Sequence, residues 1–246
     1  MSPTVIHIPG EPRLSRLLKS DDVLWRYLDA ARFFDFIHNQ TLFFCRGDHF
    51  QDRFEGAFTE SLKHAIERSY QVNKIEFTYE EFRRRLRERV FVNCWHKGSD
   101  DSMAMWSLYG GSSCSVALTT TAGQLRTSLK EQQLPYDIAI EKVEYVKHWR
   151  DPNLDIAPYS RVFAYKTKAY EYEKEVRVLI DRFADGFESQ MPEGGMPIKV
   201  AHQTLLRSVV IAPEAPAWFD TLIREASVRY GIVAPVRRSK LATDPV

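Results

Sequence analysis

Apolar and polar positions alternate with a period of two at several places along this chain, and the pattern shifts to helical spacing between them. Near the C-terminal third, Val176, Val178 and Ile180 fall on one face of a strand. The stretch YKTKAYEYEKEVRVLI, Tyr165 to Ile180, carries the same alternation backward. On a continuous strand, Glu171, Glu173, Glu175 and Arg177 share the opposite face, and Tyr170 and Tyr172 extend the apolar row. Carboxylates two residues apart on a strand are about 6.5–7 Å apart between Cα atoms, a spacing that suits bridging a polar ligand or pairing with arginines. A solvated strand face laced with ion pairs has the same pattern, so both readings stand at this point.

Residues 1–20, with Pro3, Pro9, Gly10 and Pro12, read as an irregular arm, which leaves 21–246 as the folded domain. A strand is expected around Leu24–Tyr27. A helix follows, capped by Asp29 and carrying Ala31, Phe34, Ile37 and His38, and then the strand TLFFC. RGDHFQDRFEGAF reads as a loop. TYEEFRRRLRERVF carries a capping box, Thr78 with Glu81, and a stripe of Phe82, Leu86 and Val90, with the arginines outward. VFVNCW is a strand, SDDSMAMWSLYGG a helix capped by Ser99 or Asp100, and SCSVALTTT, IAIEKVEYV and YEYEKEVRVLI are further strands. A Gly/Pro-rich loop from Phe183 to Pro197, the strands MPIKV and LLRSVVIAP, a helix stopped by Gly231 and the strand IVAPVRRS complete the order. Without regular βαβ alternation, this order predicts an α+β fold in a single domain, with mixed or antiparallel sheets flanked by helices.

Composition narrows the picture modestly. The chain has 246 residues, 44% apolar and 27% charged, as in an ordinary globular protein. A formal net charge of +1 gives no global attraction to nucleic acid or membrane. Cys45, Cys94 and Cys114 are far apart and odd in number, which fits a reducing compartment rather than a disulfide framework. No basic-then-apolar leader and no apolar run near the roughly 20 residues of a membrane span are present, so the expected location is cytoplasmic with no membrane partner.

Dinucleotide-binding, P-loop, zincin and nucleophile-elbow signatures are absent, and no two histidines stand at metal-ligand spacing. His96 is read as structural. The arginines Arg83, Arg84, Arg85, Arg87 and Arg89 suit either phosphate contact or an ion-paired helix face. LWRY, HFQDRFEG, NCWHKGSDDSMAMWSLY and YEYEKEVR combine aromatic with charged residues where the surrounding pattern does not require both. Arg26 lies inside an apolar strand, and Glu55 follows Phe54 in a loop; such charges must be paired or line a wet cleft. One arrangement gathers Arg26, Asp52 or Glu55, Glu173, Glu175 and Arg177 in a cleft walled by Trp95, Trp106 and Tyr109. The other is a structural ion-pair network.

LWRY, TLFF, DRFEG, VNCWHKGSDDSMAMWSLY, SVALTTT, VEYV, YEYEKEVR and VVIAPEAPAWF with VRYGI, taken in order, resemble the bacterial domain of unknown function 2971 family from about Val23 to the C-terminus. Members of that family usually carry Asn-Asp-Pro before Phe-Glu, whereas this chain has Gln51, Asp52 and Arg53. The resemblance implies no activity.

The layout is also similar to the ADP-ribosyltransferase superfamily, which implies a split sheet and NAD as substrate. Its elements are a polar residue on an early strand (Arg26, with Tyr27), a following helix and strand, and a late Glu173-Lys174-Glu175 unit. In that reading Arg26 grips the pyrophosphate, with Tyr27 beside it. Trp106 or Tyr109 stacks on nicotinamide, in a site that includes Trp95, Glu55 and Arg177. Glu175 is the catalytic carboxylate and Glu173 orients an acceptor, protein or nucleic acid; a toxin or phage-defence role is the associated expectation. No metal is expected. The alternatives are a Mg²⁺-dependent nuclease using Asp52, Glu55, Glu173 and Glu175, and a nucleotide-binding or interaction module without turnover.

Overall fold

Runs of β-branched and aromatic residues separated by capped helices give the computed structural model a mixed α+β fold. It describes residues 10–50, 52, 54–147, 154–186 and 188–243. In chain order the elements are β1 (Arg13–Leu14), β2 (Val23–Asp29), α1 (Ala30–Asn39), β3 (Thr41–Arg46), α2 (Glu60–Val72), α3 (Tyr79–Arg89), β4 (Val90–Lys97) and α4 (Met103–Met105). There follow β5 (Ser115–Thr121), α5 (Ala122–Lys130), β6 (Asp137–Lys142), β7 (Glu144–Val146), β8 (Tyr165–Thr167) and β9 (Glu175–Asp181). The last elements are β10 (Gly195–Lys199), α6 (His202–Leu205), β11 (Ser208–Ile211), α7 (Ala217–Arg229) and β12 (Val236–Arg238). The chain divides into two compact units, each assembled from three segments: Met1–Ser15, Phe43–Asn93 and Leu134–Met196 in the first, Arg16–Leu42, Cys94–Gln133 and Pro197–Val246 in the second.

In the first unit, β6 pairs antiparallel with β9, placing Glu141 opposite Arg177, and parallel with β1. The end of β3 pairs antiparallel with the start of β4, Cys45 opposite Val92, and β7 runs parallel to β8. Phe44, Phe82, Phe91, Phe163, Val176, Val178 and Ile180 fill its core. Gly56 is required by two constraints at once. Its φ is +67°, and a Cβ there would lie 2.6 Å from the Phe163 ring. The expected capping box of α3 is formed on both sides: Thr78 Oγ1 accepts from Glu81 N–H, and Thr78 N–H donates to Glu81 Oε2 at 2.8 Å.

In the second unit, β5 lies between β2 and β11, antiparallel to both, and β11 pairs parallel with β12. Leu24, Trp25, Phe33, Ile37, Val116, Leu118, Val210, Phe219 and Ile223 form the core. Asp29 caps α1 as expected, its Oδ1 accepting from Arg32 N–H at 2.7 Å. No helix among the described residues is long and apolar enough to cross a membrane.

Several local expectations are corrected. The stretch YEYEKEV is not one strand. Lys168–Glu173 form a 3₁₀ turn, Lys174 takes a left-handed φ of 42°, and the strand begins only at Glu175. Tyr172 therefore points outward instead of extending an apolar row, and β9 is buried on both faces. IAIEKVEYV breaks at Val143 into β6 and β7, which join different sheets. The helix at SDDSMAMWSLYGG has Ser102 at its N-cap, not Ser99 or Asp100, and passes after three residues into a π-helical turn, Trp106–Gly110. The buried face of α1 is Phe33, Phe36 and Ile37; of the expected stripe Ile37 is buried, whereas Phe34 is half-buried and Ala31 and His38 are exposed. On α3 the stripe ends at Leu86, because Val90 already begins β4. The α3 arginines do not all face outward: Arg85 and Arg89 donate to the Asp185 carbonyl and Arg87 to the Glu55 carbonyl. Helix α5 is hidden in sequence because Thr119–Thr121 read as strand up to the cap residue itself. The first nine residues of the expected arm, with Gln51 and Arg53, lie outside the described residues.

Candidate functional site

The first unit brings Glu55, Glu173, Glu175 and Arg177 together, and adds Lys166. Arg177 extends from the middle of β9 and is fully buried, so its guanidinium must be satisfied inside the protein. Nη1 donates to the Phe163 carbonyl at 2.8 Å, and Nη2 reaches Glu55 Oε1 at 3.0 Å and Glu175 Oε2 at 2.9 Å. Its plane lies 5.3 Å from the centre of the Phe50 ring.

Lys166, on the short strand β8, is the hub of the cluster. Its ammonium lies 2.5 Å from Glu173 Oε2, 3.5 Å from Glu175 Oε2 and 3.5 Å from Glu55 Oε1, and 4.5 Å from the Tyr170 ring centre. Burial alone would pull a lysine's pKa down. The carboxylates of Glu175, Glu173 and Glu55 outweigh it and hold Lys166 above the ordinary lysine range.

The backbone supplies the carboxylates from three directions. Glu55 enters from a turn in which Asp52 Oδ1 accepts from Phe54 N–H at 2.9 Å, so Asp52 shapes the loop. Arg87 fixes the Glu55 carbonyl. Glu173 ends the 3₁₀ turn, and the left-handed Lys174 reverses the chain so that Glu175 opens β9. Glu175 N–H donates to the Tyr145 hydroxyl at 2.8 Å. Burial, with the Glu175 and Glu173 carboxylates adding to it, pushes the Tyr145 phenol up to about 12. Side-chain exposure separates the three acids: 9% for Glu175 against 4% for Glu55 and Glu173. Oε2 of Glu55 is buried and meets no hydrogen-bond partner among the described residues.

Three of the four carboxylates that the nuclease alternative names, Glu55, Glu173 and Glu175, do converge, but on the Lys166 nitrogen, which fills the point a cation would occupy. No group of three or more His, Cys, Asp and Glu among the described residues is arranged to hold a metal ion.

The remaining candidates belong to the second unit. Tyr27 is buried. Its hydroxyl accepts from Ser102 N–H at 3.0 Å, and its ring meets Trp106 edge-on at 4.8 Å between centres. Burial pushes the Tyr27 phenol far up. Trp106 is buried as well, with Nε1–H on Asp101 Oδ2 at 3.1 Å, and Trp95 lies in the core. Arg26 donates through Nη1 to the Cys94 carbonyl at 2.7 Å, so one arm of its fork is taken by backbone. Tyr109 is exposed.

No family model matches the chain, and no curated protein does. Among solved structures the chain is similar to Thermus sp. 2.9 DarT in complex with ADP-ribosylated ssDNA, at 9% identity and a TM-score of 0.40, covering 91% of this chain and 96% of that one. It is similar also to Thermus sp. 2.9 DarT in complex with carba-NAD+, at 10% identity and a TM-score of 0.38, covering 91% and 97%. Neither likeness is close enough to bear on the chemistry of the cluster.

Sequence reasoning missed Lys166, Tyr145, Phe50 and Arg87 as parts of this site. A signal for Lys166 exists: it is a charge set directly after the apolar run Val162–Tyr165. Its neighbour Lys168 is solvated, and no spacing rule tells the two apart.

Proposed function

We propose that the chain cleaves the N-glycosidic bond of NAD and passes the ADP-ribose to an acceptor, with Glu175 as the catalytic carboxylate. In such a reaction the bond between ribose C1′ and the nicotinamide nitrogen breaks. Its electron pair leaves with nicotinamide, positive charge builds on the ribose, and an acceptor oxygen or nitrogen bonds C1′ as it gives up its proton. A fixed carboxylate beside the ribose stabilises that charge without reorganising, and it accepts a hydrogen bond from the 2′-hydroxyl.

The observation that carries this reading is the double grip on Glu175. Arg177 and Lys166 meet the same oxygen, Oε2, at 2.9 and 3.5 Å, on the most exposed of the three clustered acids. A carboxylate held this way is preorganised, as a transition-state stabiliser needs to be. Glu173 completes the pair through its contact with Lys166.

The test offers NAD labelled in its adenylate half to the purified chain, together with single-stranded DNA, RNA or a protein lysate. The expected result is label in one acceptor class, or as free ADP-ribose where water accepts. Label that stays entirely in NAD under all conditions overturns the proposal.

A further inference from the structure

Lys166 meets all three clustered acids directly, and the chemistry above uses its hold on Glu175 without saying what it does for the three together. We infer that Lys166 is a positioning residue: its ammonium does the gathering that a divalent ion does in carboxylate cages, and so fixes where the Glu175 carboxylate points. This deepens the proposed function and rests on it for the catalytic consequence, though not for the gathering itself.

Three observations lead here. The ammonium has three donors, and three different carboxylates surround it within 2.5–3.5 Å. The acids lie in three different elements, a loop (Glu55), a 3₁₀ turn (Glu173) and, one residue further on, a strand (Glu175), so no single regular element holds all three. Arg177 holds Glu55 and Glu175. Glu173 is tied to the other two through Lys166, and Lys166 is in turn placed by β8 and covered by the Tyr170 ring. The role is distinct from that of a catalytic lysine. The nitrogen is enclosed by its partners, with the side chain 8% exposed, and Lys166 acts on the reaction through Glu175.

Two consequences are separable. Removing the ammonium loosens Glu175, whose contribution is largest where charge builds on the ribose in the transition state, so kcat falls more than KM changes. Removing it also leaves three carboxylates around an empty space of the size of the lost head group, which a hard divalent cation with oxygen preference will fill.

The experiment compares wild type with Lys166→Met, Lys166→Arg and Lys166→Ala. The first readout is steady-state nicotinamide release. A kcat at least about tenfold lower in Lys166→Met, with KM for NAD within about twofold, and partial recovery in Lys166→Arg are expected. An unchanged kcat in folded Lys166→Met overturns the inference. The second readout is the unfolding temperature with and without Ca²⁺. Stabilisation of Lys166→Ala by Ca²⁺, with no such shift in wild type, is expected, and its absence overturns the gathering role. If wild type releases no nicotinamide, the proposed function fails and the Ca²⁺ comparison alone decides this inference. If Lys166→Ala does not fold alone, recovery of folding by added Ca²⁺ supports it and no recovery overturns it.

Discussion

The ionic cluster around Lys166 and the polar set around Tyr27 bury polar groups by opposite means. In the first unit, charges face charges: Lys166 and Arg177 against Glu55, Glu173 and Glu175. In the second, most polar ends meet neutral partners. Trp25 Nε1–H donates to the Gly98 carbonyl at 2.8 Å, the Tyr27 hydroxyl accepts from Ser102 N–H, and the Thr119 and Ser208 hydroxyls share a 2.6 Å bond. Even Arg26 is met by a carbonyl. Neutral hydrogen bonds hold a shape at modest net gain, near 1 kcal/mol each. Buried ion pairs are a poor device for stability, because desolvation consumes most of the Coulomb gain. On the proposed function, the costly device is kept for the carboxylate with some exposure because its charge is used.

If that contrast is right, the largest response to mutation belongs to the cluster. Lys166→Met removes a cation from among three buried carboxylates and is expected to cost about 3–5 kcal/mol in chemical denaturation, the usual penalty for removing one partner of a buried ion pair. A loss below about 1 kcal/mol would place the cluster in solvent-like surroundings and dissolve the contrast. Tyr27→Phe probes the neutral set. It leaves Ser102 N–H without its acceptor and is expected to cost about 1–3 kcal/mol. Thr78→Ala, at a helix cap in neither region, sets the baseline at about 1 kcal/mol by the same measurement.

The smallest effect is one of pH, in the second unit. His202 is buried against Phe36, their ring centres 4.7 Å apart. Burial lowers its pKa below the ordinary 6.5, although the Phe36 carbonyl pulls the other way. A depressed histidine binds fewer protons folded than unfolded. Its penalty is therefore absent well above pH 6.5 and grows as pH falls below it. Unfolding temperatures at pH 7.5 and 5.5 are expected to differ more in wild type than in His202→Gln; equal differences would contradict this assignment.

What could be read in the sequence follows from how far each signal reaches along the chain. Caps and local periodicity act over three or four residues, so Asp29, the Thr78–Glu81 box and the apolar face of β9 were legible. Glu55 was legible as a charge beside an aromatic residue in a loop, and Glu173, Glu175 and Arg177 as the polar face of an alternating stretch. What joins them was not. The 3₁₀ turn with the left-handed Lys174 breaks the alternation that made Glu173 and Glu175 look like strand neighbours, and they meet through Lys166 instead. Lys166 carries no periodic mark, and its partners include a residue more than a hundred positions away. Tertiary pairing of that range leaves no trace in local pattern. For Trp95, Trp106 and Tyr27 the sequence showed aromatic weight but not which rings are buried as core.

The central claim is that the clustered charge serves chemistry at Glu175, and it is tested most directly by timing nicotinamide release from NAD by wild type and Glu175→Gln, at a temperature where both are folded. The account predicts release by wild type and a rate at least about 100-fold lower in the variant, the scale of losing one preorganised electrostatic stabiliser. Equal rates, or no release by folded wild type with any acceptor, would contradict it and leave the cluster as a device of the fold alone.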